Sequence, residues 1–261
     1  MDFQALSLDL GGPIARIRLC RPDRGNGVDG RLVRELSAAC EAIEDDEQAR
    51  VLLLSAEGAD FCRGWDLSTW NAAEESPLEW ARREGLLGDP FGCLARLSRP
   101  VVAAVQGQAL SAGLALALAC DVRLASNDAV FGLPELEHAV LPWGGALARL
   151  ARLAGRAAAT AVVLTAEAID AREALRLGLV SRVVAAERLV AEAEALAGRM
   201  AGRGPLALRY AKESVQRGLD MTLEQALRYE TDLTVILQTT EDRAEGVRAF
   251  LEKRTPRFRG K

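Results

Sequence analysis

The chain has 261 residues, of which 49% are hydrophobic and 27% charged, and its net charge at pH 7 is -4. This length and composition predict a core that is stable without disulfides or metals, in one domain or in one domain with an appended helical part. A small negative net charge gives no electrostatic basis for binding nucleic acid or an anionic membrane surface.

The cysteines and the start of the chain predict a reduced protein of the cytoplasm. Five cysteines are scattered without paired spacing, and His138 is the single histidine, so the sequence predicts free thiols and no metal site. No basic segment precedes an apolar run at the start, and the longest apolar run, Leu114–Cys120, is too short to span a bilayer. We therefore expect no signal peptide and no membrane span.

Short apolar strands alternate with helical segments in the first half of the chain. Leu6–Leu10 and Ile14–Leu19 flank a Gly-Gly-Pro turn, which predicts a hairpin. Leu32–Ile43 has the apolar stripe of a helix. Continuous apolar runs predict three further strands: Val51–Leu54, Val101–Val105 and Val122–Ala125. Alternation of this kind favours an α/β fold in which helices cover a sheet.

The segment from Val101 to Glu135 has the features of a reaction centre. The strand Val101–Val105 ends at Gly107, and the small-residue loop Gln108–Gly113 leads into an apolar helix. Small residues let a ligand approach the backbone, and the first amides of a helix favour negative charge developing nearby. Further along, Glu135 stands in otherwise apolar sequence. An amide pocket for an oxyanion, together with one carboxylate to move a proton, suits an enolate intermediate.

The last part of the chain is helical in composition. Helices are predicted over four segments: Ala186–Met200, Leu206–Arg217, Leu223–Leu237 and Asp242–Arg254. Gly202–Pro205 is the predicted joint. We therefore expect a core of residues 1–200 that holds the site and a helical region of residues 201–261.

Four segments resemble the crotonase (enoyl-CoA hydratase/isomerase) family, in the family's order. Gly107–Asp121 resembles its signature segment and Phe131–Pro142 its F-G-x-P-E segment. Gly58–Leu67 resembles its first oxyanion loop and Glu245–Gly260 its C-terminal helix and tail. The resemblance spans essentially the whole chain. It implies a spiral of β-β-α units whose C-terminal helices pack on neighbouring subunits, as a homotrimer or a dimer of trimers.

The resemblance also implies an acyl thioester substrate, carried by coenzyme A or by a carrier protein, and no separate cofactor. It implies that the backbone N–H groups of Trp65 and Ala112 form the oxyanion hole and that Glu135 is the acid/base. The implied coenzyme A contacts are Arg24, Asp66, Leu67, Lys253 and Phe258. The implied lining of the acyl pocket is Trp80, Leu87, Phe91, His138 and Trp143. Several alternatives stay open. Arg24 could be an ordinary solvated arginine, and Lys253 a charge that complements the dipole at a helix C-terminus. Trp65 either packs in the core or narrows the pocket, and core packing is equally good for Trp80, Leu87 and Phe91.

Ala115 is the main departure from the family, whose hydratases usually have a glutamate there. Water addition uses two carboxylates, whereas one carboxylate is enough to move a proton between two carbons of the substrate. The sequence therefore predicts isomerisation of a 3-enoyl to a 2-enoyl thioester by Glu135, with a pKa raised by its apolar surroundings. The alternatives are hydration or dehydration assisted by a group such as Glu137, decarboxylation or carbon–carbon chemistry, and an inactive protein that binds acyl-CoA. Glu135 as a helix-capping carboxylate is the structural alternative.

Overall fold

A computed structural model describes residues 3–70 and 73–261. The nine strands of these residues are β1 Leu6–Asp9, β2 Ile14–Leu19, β3 Val51–Ala56, β4 Val101–Val105, β5 Gln108–Leu110, β6 Val122–Ser126, β7 Val130–Gly132, β8 Ile169–Asp170 and β9 Arg182–Val184. Six of them form one sheet in the order β1-β2-β3-β4-β6-β9, and β5-β7-β8 form a second. Met1 and Asp2, on which the expectation about the chain start partly rests, lie outside the described residues.

The ten α-helices of the described residues are α1 Gly30–Asp45, α2 Pro77–Arg83, α3 Gly92–Arg96, α4 Ala112–Leu118, α5 Ala146–Thr165, α6 Ala171–Arg176, α7 Leu189–Ala201, α8 Pro205–Gly218, α9 Leu223–Gln238 and α10 Glu241–Leu251. Four short 3-10 turns accompany them: Pro22–Arg24, Leu67–Thr69, Pro134–His138 and Ala186–Arg188. No helix of the described residues has the length and apolar character needed to cross a membrane.

The large sheet is buried on both faces, as its continuous apolar strands predict. β1 and β2 pair antiparallel, which confirms the predicted hairpin, and the other neighbours in this sheet are parallel. Along β3, Val51 and Leu53 pack with α7, whereas Leu52 and Leu54 belong to the main core on the opposite face. Alternate residues of a strand point to opposite faces, so a run without polar residues requires cover on both sides.

The candidate site lies at the carboxyl ends of the parallel strands of this sheet. β3 and β4 pair in parallel, so the loops that follow Ala56 and Val105 leave from the same edge. β5 then runs beside β7 in the small sheet, which brings the segment before Glu135 to the same loops. This topology therefore gathers three segments that are distant in sequence.

Candidate active site

The loops after β3 and β4 are in direct contact through their backbones. Cys62 N donates to Gln108 O at 2.9 Å, and Leu110 N donates back to Cys62 O at 3.1 Å. A Cβ atom on Gly113 would lie 2.1 Å from the Cys62 oxygen, so only glycine permits this approach. Close contact of the two loops brings the residues after Cys62 next to the start of α4.

Among the backbone amides of these adjoining loops that have no acceptor within the described chain are those of Trp65 and Ala112. The amide of Ser111 donates to Gly132 O at 2.9 Å and that of Asp66 to Val28 O at 2.8 Å. Between them, the N–H groups of Trp65 and Ala112 make no hydrogen bond with any described residue. Ser111 has φ 52° and ψ −123°, a conformation that favours glycine. Unpaired buried amides are rare, so these two are available to a ligand oxygen.

Glu135 lies on the 3-10 turn Pro134–His138, directly after β7. Its residue surface is 8% exposed, and neither carboxylate oxygen has a hydrogen-bond partner among the described residues. Burial raises the pKa of Glu135, and the neighbouring Ser111 hydroxyl works in the opposite direction. The Glu135 carboxylate therefore lies next to Ser111, on the loop that carries the Ala112 amide.

The surroundings of Glu135 provide no second buried carboxylate on α4. Ala115 is fully buried, and the helix sequence Ala112–Leu118 contains no ionisable residue. Glu137, which the sequence left open as a substitute, is exposed, and so is His138. The arrangement can therefore polarise a carbonyl with two amides and move a proton with one carboxylate.

Three aromatic rings form what we call the aromatic wall: Trp65, Phe91 and Trp143. Trp65 stacks on Trp143 with ring centroids 4.7 Å apart and planes 11° apart, and on Phe91 at 6.2 Å and 20°. The sequence left Trp65 between core packing and a narrowed pocket, and the structure pairs it with two predicted pocket residues.

The other predicted pocket residues do not join this wall. Trp80 is fully buried in α2, whereas Leu87 is 43% exposed. His138 is exposed at the end of its 3-10 turn. The structure therefore gives no support to Leu87 and His138 as walls of an enclosed pocket.

Three of the predicted coenzyme A contacts lie together beside Trp65. Arg24 forms an ion pair with Asp66 at 3.5 Å, and its side chain is 54% exposed. Asp66 also accepts from Ser68 N at 3.0 Å, which fixes the turn that begins at Leu67. Leu67 is 49% exposed. Arg24 is thus paired and not merely solvated, and it stands at the edge of the candidate site.

Phe258, in the C-terminal tail five residues after Lys253, lies elsewhere in the same chain. Arg50, immediately before β3, donates to Phe258 O at 2.6 Å, and the Phe258 ring lies against Gly204 and Gly246. Asp66 follows the opposite end of β3, and six strand residues span roughly 20 Å. The structure therefore does not bring the C-terminal tail to Arg24 within one chain.

The described residues contain no cluster of three or more His, Cys, Asp or Glu that could hold a metal ion. The five cysteines are free thiols, and Cys40, Cys62 and Cys120 are buried.

Comparison with known proteins identifies the family of the chain. The sequence matches the family described as Enoyl-CoA hydratase/isomerase over residues 10–261, and the chain belongs to that family, the crotonase family. It is 38% identical to a probable enoyl-CoA hydratase of Rhizobium meliloti, over 99% of both chains. It is 36% identical to the 2,3-dehydroadipyl-CoA hydratase of Escherichia coli, over 94% of both chains.

Solved structures show the same fold. An enoyl-CoA hydratase structure from Bacillus anthracis has a TM-score of 0.93 and 34% identity, covering 99% of this chain and 100% of that chain. An enoyl-CoA hydratase subunit I structure from Geobacillus kaustophilus has a TM-score of 0.91 and 39% identity, covering all of both chains. The predicted crotonase fold, with C-terminal helices after a mixed α/β core, is therefore confirmed.

Proposed function

We propose that the protein is an acyl-thioester isomerase in which Glu135 is the single acid/base. It moves a double bond from the 3-enoyl to the 2-enoyl position. The observation that carries the proposal is the buried, unpartnered carboxylate of Glu135 beside a helix that has Ala115 in place of a second acid. A lone carboxylate whose pKa is raised by burial suits a proton shuttle, because it is a stronger base than an ordinary carboxylate and can still return the proton.

The proposed reaction needs no co-reactant. The thioester oxygen accepts hydrogen bonds from the amides of Trp65 and Ala112, which stabilise the enolate charge. Glu135 takes a proton from carbon 2 of the substrate and returns it to carbon 4 as the double bond moves to carbons 2 and 3. The carboxylate is regenerated, so protons and electrons balance within one substrate.

Hydration is the second candidate, and the names of the relatives favour it. The curated relatives include probable enoyl-CoA hydratases and a crotonyl-CoA hydratase. Water addition requires a group that holds and activates water while a proton reaches carbon 2. The side chain of Ala115 is a methyl group, which cannot hold or activate water. Glu137 is exposed, so it does not lie buried beside Glu135. We therefore rank hydration second.

The substrate carrier in this proposal is coenzyme A or an acyl-carrier protein. The exposed Arg24 supplies a positive charge next to Asp66 and Leu67 for the nucleotide or phosphopantetheine phosphate. Phe258 lies at the other end of β3 in its own chain. A contact between it and the nucleotide therefore requires the tail of another subunit.

We also propose that the chain assembles as a homotrimer or a dimer of trimers. Large apolar side chains on the last three helices and their connections are exposed in the single chain: Val215, Leu219, Leu223, Leu227, Val235, Phe250 and Leu251. Such residues are typical of surfaces that neighbouring subunits cover.

The decisive experiment compares a 3-enoyl-CoA with its 2-enoyl isomer in deuterated water. We expect conjugation of the 3-enoyl thioester, which ultraviolet absorbance follows. Mass spectrometry should detect deuterium in the product to the extent that the proton on Glu135 exchanges with solvent before it is returned to carbon 4. Glu135→Gln should lower the rate of conjugation by about 10²–10⁴-fold, the usual contribution of a general acid/base. The fall should appear in kcat because the carboxylate acts on the reacting carbons.

The matched control is Glu137→Gln, two residues away on the same turn and exposed. It should keep the wild-type rate. Addition of water to the 2-enoyl thioester faster than isomerisation would refute the isomerase and support hydration. Tight binding of acyl-CoA with no turnover of either thioester would favour a binding protein without activity.

A further inference from the structure

The fold brings together two cysteines that are distant in sequence. Cys40 lies on α1 and is buried, whereas Cys93 lies on α3 and is half-buried against the same core. Each thiol is the side-chain hydrogen-bond partner of the other. The cysteines have no paired spacing in the sequence, so this pair exists because α1 and α3 pack against each other. Contact between two thiols is the first requirement for a disulfide.

The chain around α3 is attached to α1 on both sides of this thiol pair. Before α3, the Glu84 carboxylate accepts from Gly30 N at 3.3 Å, at the start of α1. After α3, the Glu44 carboxylate near the end of α1 accepts from Ser98 N at 3.0 Å. Gly30 and Glu44 lie on opposite sides of Cys40 along α1, so hydrogen bonds hold the two elements together at both flanks of the thiol contact.

The surroundings of the pair favour a thiolate on Cys93 and a thiol on Cys40. The hydrogen bond from Cys40 lowers the pKa of the Cys93 thiol, and the Ser37 hydroxyl and the Arg96 guanidinium lower it further, against the effect of burial. The hydrogen bond with Cys93, together with burial, raises the pKa of the Cys40 thiol. Peroxides react with thiolates, and an accessible thiolate beside a second thiol is typical of redox-sensitive cysteines.

The other three cysteines lack this combination. Burial raises the pKa of Cys62 and of Cys120 to about 12, so both remain protonated at neutral pH. The Cys120 thiol donates to Leu116 O at 3.6 Å. Cys20 is half-buried like Cys93, but its thiol donates to a backbone carbonyl, Arg18 O, at 3.2 Å. Cys20 therefore provides a matched control for accessibility without a neighbouring thiol as partner.

We infer that Cys40 and Cys93 form a site of reversible oxidation, where a hydroperoxide such as hydrogen peroxide closes a disulfide between α1 and α3. The Cys93 thiolate attacks one peroxide oxygen, the O–O bond breaks, and the departing hydroxide takes up a proton, which gives a sulfenic acid and water. The Cys40 sulfur then attacks the Cys93 sulfur. The S–S bond forms, the S–O bond breaks, and the Cys40 proton leaves with the oxygen as water. The two thiols lose two electrons and two protons, and the peroxide becomes two water molecules.

The test treats the reduced protein with hydrogen peroxide, alkylates the remaining thiols and maps the peptides by mass spectrometry. We expect a disulfide between Cys40 and Cys93 within one chain, which dithiothreitol removes. Cys40→Ser should abolish the disulfide and leave a sulfenic acid on Cys93, which dimedone traps. If Cys40→Ser does not fold, Cys40→Ala provides the same measurement. Cys20→Ser is the control and should form the disulfide at the wild-type rate.

The rates of the single thiols give a second measurement, independent of the proposed function. At pH 7, Cys93 should react with iodoacetamide about tenfold or more faster than Cys20, since an ordinary thiol is only a few per cent ionised there. Equal rates for these two thiols would overturn the inference. So would a peroxide-treated wild type without a Cys40–Cys93 disulfide, a bridge from Cys93 to Cys120 instead, or a bridge between two chains.

Discussion

The buried environment of Glu135 disfavours the charged form of its carboxyl group. Its oxygens are buried, so ionisation loses hydration that the neighbouring Ser111 hydroxyl replaces only in part. Burial accordingly raises the pKa of Glu135 above its ordinary value of 4.5. A residue of this kind reduces stability at neutral pH, which is typical of groups retained for chemistry.

Glu135→Gln should therefore stabilise the protein, and the gain should depend on pH. A raised pKa means that the folded protein holds the proton more tightly than the unfolded chain, so this stabilisation is complete below pH 4.5 and is lost as pH rises through the raised pKa. Glutamine stays neutral throughout. The difference in Tm, variant minus wild type, should thus grow between pH 4.5 and pH 8, by about 2–4 °C for each kcal/mol.

Thermal melts of both proteins across this pH range test the sign. Glu137→Gln is the control, because that exposed side chain has water around its charge. A Tm difference that does not change with pH, or a less stable Glu135→Gln at pH 8, would contradict the buried, unpartnered carboxylate.

Single residues of the site differ in how well the sequence predicts them. Glu135 could be identified because an acid in apolar sequence is unusual and the motif around it is specific. The stacking of Trp65 on Trp143 could not, since it depends on loops that only the folded sheet brings together. His138 has no local signal for its exposure, which follows from its place at the end of a 3-10 turn.

At the scale of elements, α8 is attached to the core through a buried ion pair. Lys212 lies 2.8 Å from Asp121, with side chains only 8% and 18% exposed. Asp121 also accepts from Val101 N at 2.7 Å and from Gln216 Nε2 at 2.9 Å. Lys212 completes the attachment by donating to Arg99 O at 3.0 Å. One carboxylate thus connects β4 with α8.

Asp121→Ala should destabilise the protein by about 3–5 kcal/mol, because it leaves the Lys212 ammonium buried without its partner. Urea unfolding measures the loss. Adding Lys212→Met should restore a large part of it, since the apolar side chain removes the uncompensated charge. The control is Glu173→Ala, which breaks an exposed pair with Arg176 and should leave the midpoint unchanged. Equal midpoints for Asp121→Ala and the control would show that the buried pair does not hold α8.

The sequence predicted long or strongly apolar elements better than short ones. β3 and β4 have continuous apolar runs, and their burial on both faces leaves little choice of structure. β5, β7 and β8 have two or three residues each, and pairing with distant partners defines them. Gly155 kinks α5 with φ 77° and ψ 162°, a conformation that glycine permits.

At the scale of the whole molecule, the C-terminal helices are the least covered part of the chain. Leu223 is 76% and Phe250 81% exposed, whereas Leu233 on the same helix as Leu223 is buried. An isolated helical region with this many exposed apolar side chains would associate nonspecifically. The assembly that we propose would remove this surface from water, and it would allow the tail of one subunit to reach the site of another.

We expect light scattering with size exclusion to give the mass of a trimer or of a dimer of trimers. Leu223→Asp combined with Val215→Asp should lower that mass, because each carboxylate would have to be buried where an apolar side chain is covered by a neighbouring subunit. Leu164→Asp on α5 is the control: Leu164 is as exposed as Val215, at 69%, but lies outside the three helices. A wild-type monomer at micromolar concentration would refute the proposed assembly. Equal effects of both sets of variants on the mass would place the interface elsewhere. If the double variant is a folded monomer that has lost affinity for coenzyme A while Glu135 and its loops are intact, the neighbouring tail, and not the tail of the same chain, completes the site.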